Sequence, residues 1–441
     1  RYYFKNLKDY MITYTIMANG KAVRHGKVSL DIAPQTSKEL QVNMAGLKPQ
    51  KDTEYFVNFS VVTVQPEGLI QEGHEIASEQ FRLPIEPIKS DLKTSGPALS
   101  VSENGDELVA FSSKVNFVFN KKTGLVSSYK VGSTEYFSEG FGLQPNFWRG
   151  PTDNDYGNGQ PKREQIWKQS SKNFNVSDAT VKMDGKNAIM TINYLLPAGN
   201  LYIVDYTIYP SGAVHVAAHF TSTEMNEAET EVSEATRTAT FTPGRDAARK
   251  EASKLTVPRI GVRFRMPVTM NQVEYFGRGP EENYWDRKAG TLVGLYKSTA
   301  EDLYFPYVRP QENGHHTDTR WVSVSSNKGK GLKIVADELI EFNALRNSIE
   351  DFDDEEQTNL PRQWSNFTPE QIANHDEEAA KNVLRRQHHI NDVTPRNYVE
   401  VCIDLKQQGV GGYDSWGARP EPQYTLPANK DYQWGFTIIP E

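Results

Sequence analysis

Hydrophobic residues alternate with polar or small ones through most of the chain, and this period of two predicts β-strands rather than helices. Tyr14 and Ile16 belong to the first such run, and Asn19-Gly20 follows it. An Asn-Gly pair between two alternating runs predicts a hairpin, because both residues tolerate positive φ. The spacing of strands and turns over residues 1–84 fits an immunoglobulin-like β-sandwich.

Three prolines, charges and small residues then interrupt the pattern from Pro84 to Pro97, and we interpret 85–96 as a linker. Alternation resumes over 97–441, for example at Tyr202 to Ile208 and at Val399 to Leu405, and Lys122-Thr123-Gly124 supplies a turn. Many strands without regular helices between them predict a large antiparallel sandwich. The predicted fold class is therefore all-β.

Two polar stretches depart from the alternation, and we expect both to be inserted segments. Residues 224–258 are rich in Glu, Thr and Ala, and residues 337–391 contain an acidic run. Thr368-Pro369 is a plausible helix start within the second stretch. Runs of acidic residues are usually solvated, so we expect no site in either segment.

Charge and composition exclude several kinds of partner. The chain has 441 residues, a net charge of -8 and 37% hydrophobic residues, as in globular proteins. It has no Lys/Arg block that would bind nucleic acid and no apolar run that would span a membrane. It also begins without methionine or a signal segment, and we expect an excised fragment. Localisation stays open between cytoplasm and periplasm.

The single cysteine, Cys402, lies in an apolar strand pattern and is expected to be an inert buried thiol. The neighbouring histidines of His315-His316 point to opposite faces of a strand, and no Cys/His spacing suits zinc. We therefore predict no metal site and no cofactor in this chain.

Candidate chemistry lies in four loop segments dense in Gly, aromatic and charged residues: 146–155, 277–284, 309–321 and 409–417. Amide, carboxylate and guanidinium groups can bind sugar hydroxyls, and an indole can cover the apolar face of a sugar ring. The alternative is that these residues form turns held by local hydrogen bonds. Trp148 and Trp321 fit core positions better than ligand-facing ones. The candidate sugar-binding residues are Arg149, Asp153, Asn154, Asp155, Glu312, Asn313, His316, Asp414, Ser415 and Trp416.

These segments carry a resemblance to a known family. RGPTDND, GRGPEENYWDR, PYVRPQENGHHTDTRW and GVGGYDSWG occur in the order found in the last domain of large β-galactosidases of glycoside hydrolase family 2. The start, with YYFKNL and GKAVRHGKVSLDIAPQ, resembles the immunoglobulin-like domain after the catalytic barrel of that family. The resemblance covers essentially the whole chain.

The resemblance implies that 1–84 is the post-barrel sandwich and that 97–441 is a supersandwich similar to galactose mutarotase. It also implies a parent enzyme that hydrolyses terminal β-galactosides with retention. The two catalytic glutamates of that family lie on the barrel, so no catalytic residue is expected in this chain and the chain alone should be inactive. The implied partners are a β-galactoside sugar and the missing barrel of the same polypeptide, and a homo-oligomer stays open.

In the family, the tryptophan of the GG-x-DSW loop forms part of the sugar platform, and that residue maps to Trp416. Tyr413 stands where the family commonly has an acid. A mobile loop of the family would map loosely to residues 157–170. Two other functions stay open: an aldose epimerase using Glu312 with His315 or His316, and a free-standing carbohydrate-binding module.

Overall fold

A computed structural model describes residues 3–29, 31–222, 255–353, 389–414 and 417–441. The chain forms two compact units, residues 1–92 with 292–295, and residues 93–291 with 296–441. Described residues contain no helix long and apolar enough to cross a membrane.

The first unit is built on an antiparallel four-stranded sheet in the order β2-β1-β3-β4. Its strands are β1 Tyr10–Ala18, β2 Lys21–Val28, β3 Tyr55–Thr63 and β4 Glu75–Arg82. The predicted Asn-Gly hairpin is confirmed, because Ala18 pairs with Lys21 across a turn in which Asn19 and Gly20 have φ of 45° and 76°. Ile16, Tyr55 and Val57 form the centre of this unit's small core.

The described residues of the second unit contain seventeen strands and three short α-helices. One of these strands, Leu292–Thr299, begins in residues 292–295 of the first unit. The strands are β5 Ser100–Asn104, β6 Glu107–Phe111, β7 Val115–Asn120, β8 Leu125–Val131, β9 Thr134–Glu135, β10 Gln144–Asn146, β11 Asn175–Asp184, β12 Asn187–Leu195, β13 Leu201–Ile208, β14 Val214–Phe220, β15 Arg259–Pro267, β16 Gln272–Gly279, β17 Leu292–Thr299, β18 His316–Ser325, β19 Gly331–Leu345, β20 Tyr398–Gln407 and β21 Tyr432–Pro440. The helices are α1 Asp153–Gly157, α2 Gln160–Arg163 and α3 Gln165–Ser170.

Two antiparallel sheets organise these strands. The larger sheet has the order β10-β15-β20-β19-β21-β14-β13-β12-β11, and β18 joins it by pairing with β19 and β16. The smaller sheet has the order β5-β6-β7-β8-β9, with the predicted turn at Gly124 between β7 and β8. The predicted all-β, antiparallel fold class is therefore confirmed.

The core of the second unit lies between the two sheets. Strand β13 buries every second side chain, as period two requires. Phe117 of the smaller sheet contacts Tyr206 of the larger sheet, with ring centroids 5.5 Å apart. The central strand β20 is buried on both faces over most of its length, and it places Cys402 in the core, as predicted.

The prediction of an inserted segment over 337–391 is wrong at the start of that range. Strand β19 continues through Asp337 to Leu345. Glu341, which falls within the predicted inserted segment, is buried and lies 3.0 Å from His315. The sequence alone therefore does not distinguish a buried, paired acid from an acid in a loop. Residues 354–388, which include the predicted helix start at Thr368, and residues 223–254 of the other predicted insertion lie outside the described part.

Candidate functional site

Hydrogen bonds join the four candidate segments into one cluster of loops. The Gly150 N–H donates to Glu312 Oε2 at 3.0 Å, which links the first segment to the third. Arg149 Nη2 donates to the Gly409 carbonyl oxygen at 3.2 Å, which links the first segment to the start of the fourth. The Gly411 N–H donates to Asp286 Oδ2 at 2.8 Å, which links the fourth to the turn that follows the second. Segments distant in sequence therefore meet at one edge of the second unit.

Arg149 lies fully inside this cluster, with no exposed surface. It forms a bidentate pair with Asp155, in which Nη2 donates to Oδ1 at 3.1 Å and Nε donates to Oδ2 at 3.2 Å. Its remaining N–H groups donate to Gln407 Oε1 and to the carbonyl oxygens of Gln408 and Gly409. A guanidinium has five N–H donors, and all of them are used within the protein. Arg149 and Asp155 thus have no open face toward a ligand.

Asp155 also takes part in capping the start of α1. Its carboxylate accepts from the Thr152 N–H at 3.0 Å, and its own N–H donates to Thr152 Oγ1 at 3.2 Å. This reciprocal capping box satisfies N–H groups that the first helical turn leaves unpaired. The sequence Thr-Asp-Asn-Asp therefore starts the helix that carries Asp153 and Asn154.

Glu312 is equally enclosed, with 4% of its surface exposed. Its Oε1 accepts from Arg259 at 2.9 Å, from Asn343 at 3.1 Å and from Gln407 at 3.0 Å, while Oε2 accepts from Gly150. Burial is the largest influence on the pKa of Glu312 and would raise it, but Arg259, His315, Arg149 and the hydrogen bond from Gln407 together outweigh burial and lower this pKa. Glu312 therefore links the loops as a buried carboxylate, and both of its oxygens accept hydrogen bonds from protein groups.

Asn313 and His316 are also internal. Asn313 accepts from the Phe305 N–H at 3.2 Å and donates to the Gln311 carbonyl oxygen at 2.8 Å. The ring of His316 stacks on Phe342 at 5.0 Å, and its nitrogens lie 3.1 and 3.2 Å from the carbonyl oxygens of Gly314 and Pro280. Burial lowers the pKa of His316 to about 4, so the ring is neutral at pH 7.

The solvent-facing part of the cluster, which we call the rim, consists of Asp153, Asn154, Arg309, Tyr413 and Asp414. Arg309 pairs with Asp153 at 3.2 Å, and its guanidinium lies 4.0 Å from the ring of Tyr156 in α1. The Asp153 side chain is 63% exposed. Carboxylate, amide, guanidinium and phenol groups are therefore presented together, as binding of a polyhydroxyl ligand requires.

Ser415 and Trp416 lie outside the described residues, and the residues on either side, Asp414 and Gly417, both lie against α1. In the orientation that satisfies both partners, the Asn154 amide donates to the Asp414 carbonyl oxygen at 3.1 Å and accepts from the Gly412 N–H at 3.0 Å. On the other side, a Cβ at Gly417 would lie 2.5 Å from the Gly157 carbonyl carbon, and Gly417 has a φ of 112°. The two ends of the pair 415–416 thus adjoin α1.

Residues 157–170, which map loosely to a mobile loop of the family, are largely helical here, since they span the end of α1 and all of α2 and α3. Trp167 of α3 is fully buried and packs on Phe220 of β14, with ring centroids 5.9 Å apart. Gln160 and Glu164 are also buried and joined by a 2.9 Å hydrogen bond. This segment therefore contributes to the core beneath the rim.

Most of the residues that support the rim were not among the candidates predicted from the sequence. Arg259, Asn343 and Gln407 surround Glu312, and all three lie on strands. A charged residue at a core-facing strand position was the available signal, as at Arg259 in the run RIGVRF. Trp148 is buried, as expected, whereas Trp321 is half-buried with the Lys333 ammonium 4.0 Å from its ring. Among described residues, no three His, Cys, Asp or Glu side chains form a group that could hold a metal ion.

Two protein-family models match the chain. One, described as beta galactosidase small chain, matches residues 111–438, and one, described as beta-galactosidase domain 4, matches residues 1–84. A beta-galactosidase from Priestia megaterium is 30% identical over 444 residues, which cover 100% of this chain and 37% of that protein. One from Halalkalibacterium halodurans is 24% identical over 439 residues, covering 99% of this chain and 37% of that protein. The chain thus spans 37% of the length of these curated relatives.

The matches among solved structures include two proteins from Lactobacillus acidophilus. A galactose mutarotase related enzyme from Lactobacillus acidophilus matches 76% of this chain and 97% of its own, at 9% identity and a TM-score of 0.34. A galactose 1-epimerase from the same species matches 78% of this chain and 98% of its own, at 7% identity and a TM-score of 0.35.

Proposed function

Because the chain belongs to the β-galactosidase small-chain family, we propose that it is the non-catalytic carboxy-terminal part of a retaining β-galactosidase of glycoside hydrolase family 2. The parent enzyme would hydrolyse terminal, non-reducing β-D-galactose residues of substrates such as lactose. This chain would form one edge of the sugar site, and the remainder of the same polypeptide would be its partner and supply the catalytic barrel. The proposal assigns no cofactor or metal to this chain.

Retaining hydrolysis needs two carboxyl groups about 5 Å apart, one as nucleophile and one as acid and base. The buried carboxylates of the loop cluster do not fit these roles, because Glu312 and Asp155 are enclosed and bonded to protein groups. This supports a role in shaping the site, with the two catalytic carboxyl groups supplied by another part of the parent enzyme.

The observation that carries the proposal is the placement of the two residues that border Ser415 and Trp416. Asp414 and Gly417 both adjoin α1, beside the exposed Asp153. An indole supported there would offer a flat apolar surface next to hydrogen-bonding groups, and this combination suits a sugar ring. We assign Trp416 as the platform and Asp153, Asn154, Asp414 and Ser415 as neighbouring polar contacts. Arg149, Asp155, Glu312, Asn313 and His316 would position the rim from below.

The direct test uses the full-length parent enzyme. Trp416→Ala should raise KM for lactose about tenfold, which corresponds to losing ~1.4 kcal/mol of stacking and apolar contact. Trp416→Phe keeps a flat ring and should retain most of the affinity. An unchanged KM in Trp416→Ala would exclude the platform role.

A second test uses the isolated chain with a nitrophenyl galactoside. We expect no hydrolysis by the chain alone and restored hydrolysis when the remainder of the parent polypeptide is added. Hydrolysis by the chain alone at an enzyme-like rate would refute a non-catalytic role.

The two other candidate functions receive no comparable support. An aldose epimerase needs an accessible acid and base, but Glu312, His315 and His316 are all buried. Polarimetry on fresh galactose would detect such activity. A free-standing binding module would bind galactosides without the barrel, and calorimetric titration of the isolated chain distinguishes it, since one edge of a site should bind only at millimolar concentrations or above.

A further inference from the structure

The turn Glu282–Arg287 lies beside two loops of the cluster. It is closed by two backbone hydrogen bonds, from Tyr284 N–H to the Arg287 carbonyl oxygen at 3.1 Å and from Arg287 N–H to that of Tyr284 at 2.8 Å. The carboxylates of Glu282 and Asp286 leave this turn four residues apart. Glu282 accepts one backbone N–H from the first of these loops, and Asp286 accepts two from the second.

Glu282 holds the loop that contains Arg309 and Glu312. Its side chain is only 6% exposed, and its Oε2 accepts from the Gly314 N–H at 2.7 Å. Its Oε1 accepts from the Tyr307 hydroxyl and, at 2.8 Å, from Arg287. The carboxylate therefore fixes both ends of the stretch 307–314, whose middle carries the rim residue Arg309.

Asp286 holds the loop that precedes Ser415 and Trp416. Its Oδ1 accepts from the Val410 N–H at 2.9 Å, and its Oδ2 accepts from the Gly411 N–H at 2.8 Å. Hydrogen bonds to a charged acceptor are stronger than neutral ones. The approach is close, since a Cβ at Gly409 would lie 2.5 Å from Asp286 Oδ2. Only glycine at 409 leaves room for this carboxylate.

We propose that Glu282 and Asp286 form a bracket that sets the spacing between the 307–314 loop and the 409–414 loop. Because the two carboxylates are connected by one closed turn, the loops cannot move apart without breaking hydrogen bonds at one end of the bracket. Both would be positioning residues. Their role toward sugar rests on the proposed function, whereas their role in holding the loops does not.

Amide hydrogen exchange in the chain itself tests the bracket. Asp286→Asn removes the charge and turns an NH2 group toward one of the two N–H donors. Exchange at Val410 and Gly411 should become about tenfold faster or more, while the β20 amides keep their protection. The matched control is Glu281→Gln, which removes the same charge from an exposed neighbour and should leave both amides within about twofold of the unaltered chain.

Two further variants complete the hydrogen-exchange experiment. Glu282→Gln should accelerate exchange at Gly314 and not at Val410. Gly409→Ala displaces the Asp286 carboxylate without changing charge, so it replaces Asp286→Asn if that variant does not fold. Unchanged exchange at Val410 and Gly411 in the folded variant would overturn the bracket.

Kinetics of the full-length parent enzyme test the link to sugar binding. Asp286→Asn should raise KM for lactose about threefold or more and change kcat for a nitrophenyl galactoside by less than about twofold. Asp286→Glu, which keeps the charge, should restore part of the loss. Faster amide exchange with an unchanged KM would overturn the positioning role toward sugar. If Trp416→Ala also leaves KM unchanged, the proposed function itself has failed.

Discussion

Replacing Arg149 by methionine is expected to destabilise the second unit by about 3–5 kcal/mol, the usual cost of removing one partner from a buried ion pair. Arg149 is fully buried and Asp155 is 2% exposed, so the carboxylate would stay enclosed without its cation. The carbonyl oxygens of Gln408 and Gly409 would lose donors as well. The Thr152 N–H would still donate to Asp155, which places the expected value in the lower half of that range.

Urea unfolding followed by fluorescence suits this measurement, because all seven tryptophans lie within the second unit. The free-energy change is the shift in midpoint multiplied by a shared slope. Arg309→Met is the matched control. It makes the same substitution in a pair with Asp153 whose side chains are 30% and 63% exposed, and it should cost less than about 1 kcal/mol.

Equal midpoint shifts for Arg149→Met and Arg309→Met would refute a supporting role for the buried pair. A double-mutant cycle with Asp155→Asn gives an independent result. The coupling energy between the two side chains should exceed about 1 kcal/mol, whereas additive effects within ~0.5 kcal/mol would mean that they do not act together.

Three further outcomes are expected from the burial of His316 and Cys402 and from the close packing at Gly417. Burial lowers the pKa of His316 to about 4 from about 6.5, so the unfolded chain binds a proton that the folded chain excludes, and stability should fall by up to ~3 kcal/mol as pH drops from 6.5 to 4. His316→Gln should flatten this dependence in urea midpoints, and an unchanged slope would contradict it. Gly417→Ala, whose methyl group would meet Gly157, should speed proteolysis of the adjoining loop, whereas Gly290→Ala, with open space around it, should not. Burial raises the pKa of the Cys402 thiol, so a thiol reagent should label it only after unfolding, and rapid labelling of the folded chain would disprove its inertness.

Much of the fold follows from local sequence chemistry. Alternation predicted strands that the structure contains, including β13 and β20. The Asn19-Gly20 pair predicted a hairpin, and the family models confirm the resemblance read from the four loop motifs. These features depend on neighbours a few residues apart or on short motifs, so one sequence is enough to find them.

Polar residues in strands were harder to interpret. Glu341 lies within the predicted inserted segment 337–391, yet β19 carries it into the core, where His315 lies 3.0 Å away. Hydrophobicity marks which side chains avoid water, but it does not show which charges find a partner. That partner is distant in sequence, and only strand pairing brings the two together.

By itself, the sequence determined the strand periodicity, the tight turns and the loops in which candidate residues lie, because each depends on local backbone preferences. Only the tertiary structure separated the exposed Asp153 from the enclosed Arg149 and Glu312, which the loop composition made equal candidates. The physical reason is that burial, and many of the hydrogen-bond partners of a buried charge, come from residues far along the chain. Arg149 receives its acceptors from Gln408 and Gly409, and these are adjacent only after the sheets have formed.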